Sequence, residues 1–244
     1  MGILDFIFPK YCVNCKKIGS YLCDNCFSYL NFDPYGICVV CNRQAIAGIT
    51  HPRCLGRYII NGVFTGIEYK GVAKKLVYQF KYNPYVLDLK NLLVDFLYEA
   101  LIQKEEFMKI IEAIGEKIIV PIPLHSTRLR IRGYNQAEVL AKELSKKLNI
   151  KTVNMLRRTK NTRSQVGLKK EDRLKNISGA FSVLPNIHAR RSSASPNEGG
   201  LISQYPNIFL VDDVVTTGST LLSAANTLKR NGAKKVWGIA LARD

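Results

Sequence analysis

The chain has 244 residues, 47% of them hydrophobic, and carries 36 lysines and arginines against 19 acidic residues, a formal charge of +17 at pH 7. This length and apolar content exclude a disordered or fibrous chain and suit one sizeable core with a small accessory module; no apolar run approaches the roughly 18 residues that span a bilayer. The positive excess is uneven, with 16 Lys and Arg against 5 acids in residues 116–185, a cluster whose potential attracts polyanions.

Residues 3–8 lack a basic lead and a cleavage site, so the cytoplasm is the expected location. They read as a short packed helix that Pro9 ends. All seven cysteines follow within the first 54 residues. Six form the Cys-x-x-Cys pairs Cys12/Cys15, Cys23/Cys26 and Cys38/Cys41, and His51 with Cys54 repeats the spacing. Two intervening residues let both ligands of a knuckle reach one tetrahedral ion, and thiolates with imidazole are a donor set that zinc prefers. The simplest assignment is sequential: Cys12, Cys15, Cys23 and Cys26 on one zinc, then Cys38, Cys41, His51 and Cys54 on a second. Spacing alone also admits an interleaved arrangement. An odd cysteine count without a secretory signal argues against disulfides, and the spacings differ from the usual iron–sulfur runs. With four protein ligands each, the sites are expected to be structural and to contribute on the order of 10 kcal/mol to folding.

Further along, residues 62–69 read as a strand, and Val72, Leu76, Val77 and Phe80 have helical spacing. Residues 88–101 form a clearer helix whose stripe is Leu89, Leu92, Leu93, Phe96, Leu97 and Leu101. A third helical pattern at 105–114 leads to a strand at 117–120, which Pro121 and Pro123 stop. The next segment carries Arg128, Arg130 and Arg132 at alternating positions. Extended backbone would aim all three the same way, and guanidinium forks suit phosphate oxygens. His125 is a lone loop histidine with no partner in the sequence to make it a general base. A helix at 134–148, a short strand near 153–156, a basic loop at 157–170 with Arg163, Lys169 and Lys170, a helical turn at 171–176 and a strand at 180–184 follow. Residues 186–205 are rich in Ser, Gly and polar side chains without periodicity and read as a mobile surface loop.

The most informative segment comes next. An apolar strand at 208–211 runs into Asp212 and Asp213, then Thr216, Thr217, Gly218, Ser219 and Thr220, then a helix at 221–230. Unpaired N–H groups at a helix start favour anions, Gly218 admits a phosphate close to the backbone, and the carboxylates suit sugar hydroxyls. Residues 233–242 supply a last strand. Strands alternating with helices imply a mostly parallel sheet with right-handed crossovers, and ligands bind at the carboxyl ends of such strands.

The strand, acidic pair and T-T-G-S-T turn resemble the phosphoribosyl-pyrophosphate (PRPP) motif of type I phosphoribosyltransferases. The resemblance implies that Asp212 and Asp213 contact the ribose hydroxyls of magnesium-bound PRPP and that the 216–220 turn holds its 5′ phosphate. The blocks P-I-P-L-H-x-x-R-x-x-x-R-G-Y-N-Q-A from Pro121 and R-R-T-x-x-T-x-x-Q-V-G-L from Arg157, with the cysteine pairs before them, resemble the ComF (ComFC) family over nearly the whole chain. That family joins a double zinc ribbon, here 1–57, to a type I phosphoribosyltransferase-like α/β domain, here 58–244. It assists uptake of single-stranded DNA during natural transformation. The resemblance therefore implies PRPP-type ligands, single-stranded DNA and competence helicase or uptake-channel components as partners, with Arg128, Arg130, Arg132, Arg163, Lys169 and Lys170 meeting pyrophosphate or DNA phosphates. The alternative is an active Mg/PRPP-dependent transferase of nucleotide or amine metabolism. No residue identifies an acceptor, and no catalytic residue is assigned. Two departures from the family pattern are His51, where a cysteine would complete the second ribbon, and the 186–205 insertion.

Overall fold

The computed structural model describes residues 9–33, 35–83, 88–161, 177, 179–184, 202 and 205–244. The expected helix at 3–8, the turn at 171–176, the side chains of Arg163, Lys169 and Lys170, and nearly all of the 186–205 loop lie outside the described residues.

Two small lobes built on the same plan come first. In one, an antiparallel bridge joins Tyr11 to Ile18 around the first knuckle, and helix α1 (Asp24–Phe27) starts directly after Cys23. In the other, strand β1 (Gly36–Ile37) pairs antiparallel with β2 (Gln44–Ala45) around Cys38 and Cys41, and a 3-10 turn, Pro52–Cys54, follows His51. Each knuckle closes through the same two backbone bonds: Lys16 N–H donates to the Cys12 carbonyl and Asn42 N–H to that of Cys38, at 3.0 and 2.8 Å, while Cys12 and Cys38 N–H donate to Lys17 and Arg43. Lys16 and Asn42 both turn left-handed to allow it.

The larger part of the chain runs β3 (Gly62–Glu68), α2 (Gly71–Tyr82), α3 (Leu89–Ile102), α4 (Glu105–Ala113), β4 (Lys117–Pro121), α5 (Ser126–Arg132), α6 (Gln136–Leu148), β5 (Leu156–Arg158), β6 (Phe181–Val183), β7 (Asn207–Val215), α7 (Ser219–Arg230) and β8 (Lys235–Arg243). Strands β3, β8, β7 and β4 form, in that order, a parallel sheet. This is the expected α/β architecture with flanking helices. Ile208, Leu210 and Val236 face the apolar cluster that includes Leu221, Ala224 and Leu228 of α7. Phe209, Val211 and Ile239 face the opposite cluster, which holds Leu93 and Leu97 of α3 with Leu140 and Leu144 of α6. A parallel strand covered on both faces reads as an unbroken apolar run, which is why β7 was legible from Ile208 to Val211.

Three local readings change. Strand β7 continues past Val211, so Asp212 and Asp213 lie within it, with Asp212 in register with Ala240 and Val214 with Ala242 of β8. The short strand expected near 153–156 is divided: Thr152 bridges to Ile119 of β4, and β5 begins only at Leu156 and pairs antiparallel with β6. Arg157 and Arg158 thus sit on a strand rather than a loop. Finally, Arg128, Arg130 and Arg132 lie on α5, a helix, and not on extended backbone. His125 caps this helix, its Nδ1 accepting from Thr127 N–H at 3.3 Å, and Gly133 ends it in the left-handed conformation.

Candidate functional site

At the carboxyl ends of β4 and β7 a cavity of about 330 Å³ opens between the strand ends and helix α2. Its floor carries Asp212 and Asp213, and a smaller hollow beside it is bounded by Thr216, Gly218, Ser219 and Thr220. Gly218 takes φ +71° at the start of α7, a left-handed turn that a side chain resists. The Thr217 and Ser219 hydroxyls bond each other across the turn, and Leu222 N–H returns to the Gly218 carbonyl at 2.8 Å. The hollow thus lies at the amino end of α7, the end of a helix that favours anions.

The opposite wall consists of Lys81, Tyr78 and Tyr82 of α2, Arg128 and Arg132 of α5, and Arg158 of β5. Lys81 Nζ lies 3.1 Å from Asp213 Oδ2, with both side chains mostly buried. Because residues four apart share a helix face, Arg128 and Arg132 face the cavity, whereas Arg130 is exposed and does not line it. The tripeptide Tyr134-Asn135-Gln136 holds this wall together. Tyr134 Oη donates to the Phe80 carbonyl, Asn135 Nδ2 to that of Ile122 at 3.0 Å, and Gln136 Nε2 to that of Lys81 at 3.4 Å. Gln136, 1% exposed, accepts in turn from Arg132 at 3.0 Å. Arg132 also stacks over the Tyr82 ring, 5.2 Å from its centroid.

The electrostatics oppose one another across the cavity. Burial and the neighbouring Asp213 carboxylate push Asp212 up to about 7. Burial and the nearby Arg128 guanidinium bring Arg158 down to about 10, and burial with Arg132 lowers Arg128 in the same way. Three guanidinium groups crowd against one another beside a carboxylate pair, an arrangement that a bound anion on the cationic side relieves.

The cysteine lobes form two separate clusters. The ligand atoms of Cys12, Cys15, Cys23 and Cys26 lie within 4.8 Å of one another, and so do those of Cys38, Cys41, His51 and Cys54. This geometry selects the sequential assignment over the interleaved one. His51 Nε2 lies 2.9 Å from the Gln44 carbonyl, which only a protonated nitrogen can donate to, so Nδ1, 3.3 Å from Cys41 Sγ, is the atom that faces the cluster. Burial raises the Cys12 and Cys38 thiols, but backbone N–H groups of the knuckles outweigh it and bring them to about 6 and 7. A four-thiolate set and a three-thiolate, one-imidazole set are donor chemistry that can hold zinc ions.

Of the expected phosphate-contacting residues, the structure brings Arg128 and Arg132 to the acidic pair and leaves Arg130 outside. Arg158 and Lys81 were not expected in the pocket. Arg158 left a trace in the Arg157-Arg158-Thr159 block, whereas Lys81 sits on an otherwise ordinary helix and left none.

The sequence model of the phosphoribosyl transferase domain family matches residues 135–244, the part that carries the acidic pair and the turn. Competence protein F of Haemophilus influenzae is 36% identical over 252 residues, covering 96% of this chain and 98% of that protein. DNA utilization protein YhgH of Escherichia coli O6:H1 is 27% identical over 91% of this chain and 96% of its own. Competence protein ComFC of Bacillus subtilis is 34% identical over 128 residues, 52% of this chain and 45% of its own. No helix among the described residues is long and apolar enough to cross a membrane. Similarity from end to end with competence protein F, joined to a phosphoribosyl transferase domain, places this chain in the ComF family.

Proposed function

We propose that this protein is a cytoplasmic DNA-uptake factor of natural transformation that binds single-stranded DNA on its basic surface and a PRPP-type ligand at the end of β7. The observation that carries this reading is the single cavity in which Asp212 and Asp213 face Lys81, Arg128, Arg132 and Arg158. In this reading the ribose hydroxyls meet the carboxylates, the 5′ phosphate occupies the 216–220 turn, and a second phosphate group lies toward the arginines. Magnesium, bound with the ligand over Asp212 and Asp213, would neutralise pyrophosphate charge. The 1–57 module holds two zinc ions, and its exposed side is the surface for a competence helicase or uptake-channel component.

Calorimetric titration with PRPP and magnesium tests the pocket. Binding is expected, with at least about a tenfold loss in D213N, which removes a charged hydrogen-bond acceptor. Absent binding overturns the assignment. Oligonucleotide affinity should fall with log salt by about 0.7 per neutralised phosphate; salt-insensitive or absent binding removes the DNA role.

The crowded guanidinium groups favour a second reading, turnover. They would stabilise departing pyrophosphate while the carboxylates hold the ribose, and positioning with charge stabilisation is most of what such a displacement requires. Pyrophosphate release abolished by D212N and D213N supports it, and binding without release dismisses it.

A further inference from the structure

The two cysteine knuckles share a plan but press on different parts of the molecule. Val13, between Cys12 and Cys15, joins the cluster that contains the buried residues of α2 and α3. Val39, between Cys38 and Cys41, joins the one that contains Val63, Val215 and Leu221, and it lies directly against Gly218. A Cβ built on Gly218 would sit 2.8 Å from Val39 Cβ and 3.1 Å from its Cγ1. Glycine at 218 therefore answers two demands at once: its positive φ, and the close approach of the knuckle behind the turn. Val39 is only 7% exposed, so its isopropyl group is committed to this contact. Ile37, Val39 and Asn42 on one side and Val215 and Thr216 on the other line a gap of about 210 Å³ along the same junction.

We propose that Val39 is a positioning residue for the 216–220 turn, and that the second knuckle, closed by Cys38, Cys41, His51 and Cys54 on a metal ion, is the rigid backing of the phosphate-binding end of the pocket. The proposal rests on the phosphoribosyl reading of that turn. An anion site made of backbone N–H groups works only while those groups converge, and a five-residue glycine-containing turn has many other conformations available to it. Both ends of the Cys-x-x-Cys span are tethered when its thiolates share an ion, so Val39 cannot withdraw. The metal site then acts on ligand affinity without touching the ligand.

Three variants separate this role from general stability: V39A, which removes both γ carbons, V39I, which keeps them, and V13A, which makes the same deletion in the other knuckle. V39A is expected to weaken PRPP–magnesium binding about fivefold to tenfold, the scale of a lost buried contact. It should also speed amide hydrogen exchange at residues 216–222 in the ligand-free protein, with metal content equal to that of the unaltered protein. V39I should keep both properties, and V13A should lower the melting temperature while leaving both unchanged. Unchanged exchange and affinity in V39A overturn the proposal, as does an equal effect of V13A. If the unaltered protein does not bind PRPP, the phosphoribosyl reading falls, and the ligand-free exchange comparison decides the positioning role alone.

Discussion

At the scale of single residues, Asp212 is a group whose burial conflicts with stability. Its folded-state pKa of about 7 lies above the roughly 3.9 of a free aspartate, so the folded chain binds this proton more tightly than the unfolded one. The sign follows: the favourable contribution is present at low pH and is lost as pH rises from about 4 through about 7. Asn at 212 keeps an oxygen for the Asp213 N–H, which the carboxylate accepts at 2.9 Å, and carries no charge. D212N is therefore expected to raise the melting temperature by about 2–4 °C at pH 8 and to change it little at pH 4, while PRPP affinity falls. Melting curves of both proteins at the two pH values check this, and a lower melting temperature for D212N at pH 8 contradicts it. The acidic pair was visible in sequence because two adjacent carboxylates at the end of an apolar run are unusual. Lys81 was not, because nothing local marks a helix lysine that folding carries to a strand end.

At the scale of elements, α5 decides which arginines reach the pocket. Alternation suggested one extended face, yet the segment is helical from Ser126 to Arg132, and helical geometry splits the three arginines by position. R128A and R132A are expected to weaken PRPP binding about tenfold or more, the scale of a lost charge-assisted contact. R130A should leave that affinity unchanged and lower only the salt dependence of oligonucleotide binding, by about one neutralised phosphate. Equal losses in all three would contradict the helical arrangement. The long helices were legible for an opposite reason. Leu89, Leu93, Phe96, Leu97 and Leu101 of α3 are all buried, and a stripe of that length has one reasonable periodicity, whereas seven residues of alternating arginine have none. The Tyr134-Asn135-Gln136 block stood out as a resemblance, but its physical role, tying α2 and the end of β4 to α6 through three carbonyls, is a property of the fold.

At the scale of the whole molecule, the two clusters of four ligands were legible from spacing, but the way their lobes join the α/β part was not. Phe27, Phe32 and Phe96 meet with ring centroids 5.7–6.3 Å apart, joining the first lobe to α3. Between the lobes, Asp33 is 2% exposed and receives Arg243 in a two-pronged contact of 2.7 and 2.8 Å. The Thr65 hydroxyl donates to the same carboxylate, and Lys104 donates to the Asp33 carbonyl at 2.7 Å. Asp33 thereby gathers the inter-lobe segment, β3, β8 and the approach to α4 at one point, although in sequence it is a single acid between Phe32 and Pro34 with no motif around it. A carboxylate this buried is costly unless fully paired, and removing it strands a guanidinium in a confined site. D33A is expected to cost about 3 kcal/mol, seen as a fall of roughly 6–12 °C in melting temperature for a chain of this size. The double variant D33A/R243A should be little worse than D33A alone, because the two side chains act as one unit. Thermal denaturation of the two single variants and the double closes the cycle. Additive losses would show that the lobes are held by their apolar contacts and that this ion pair contributes nothing to joining them.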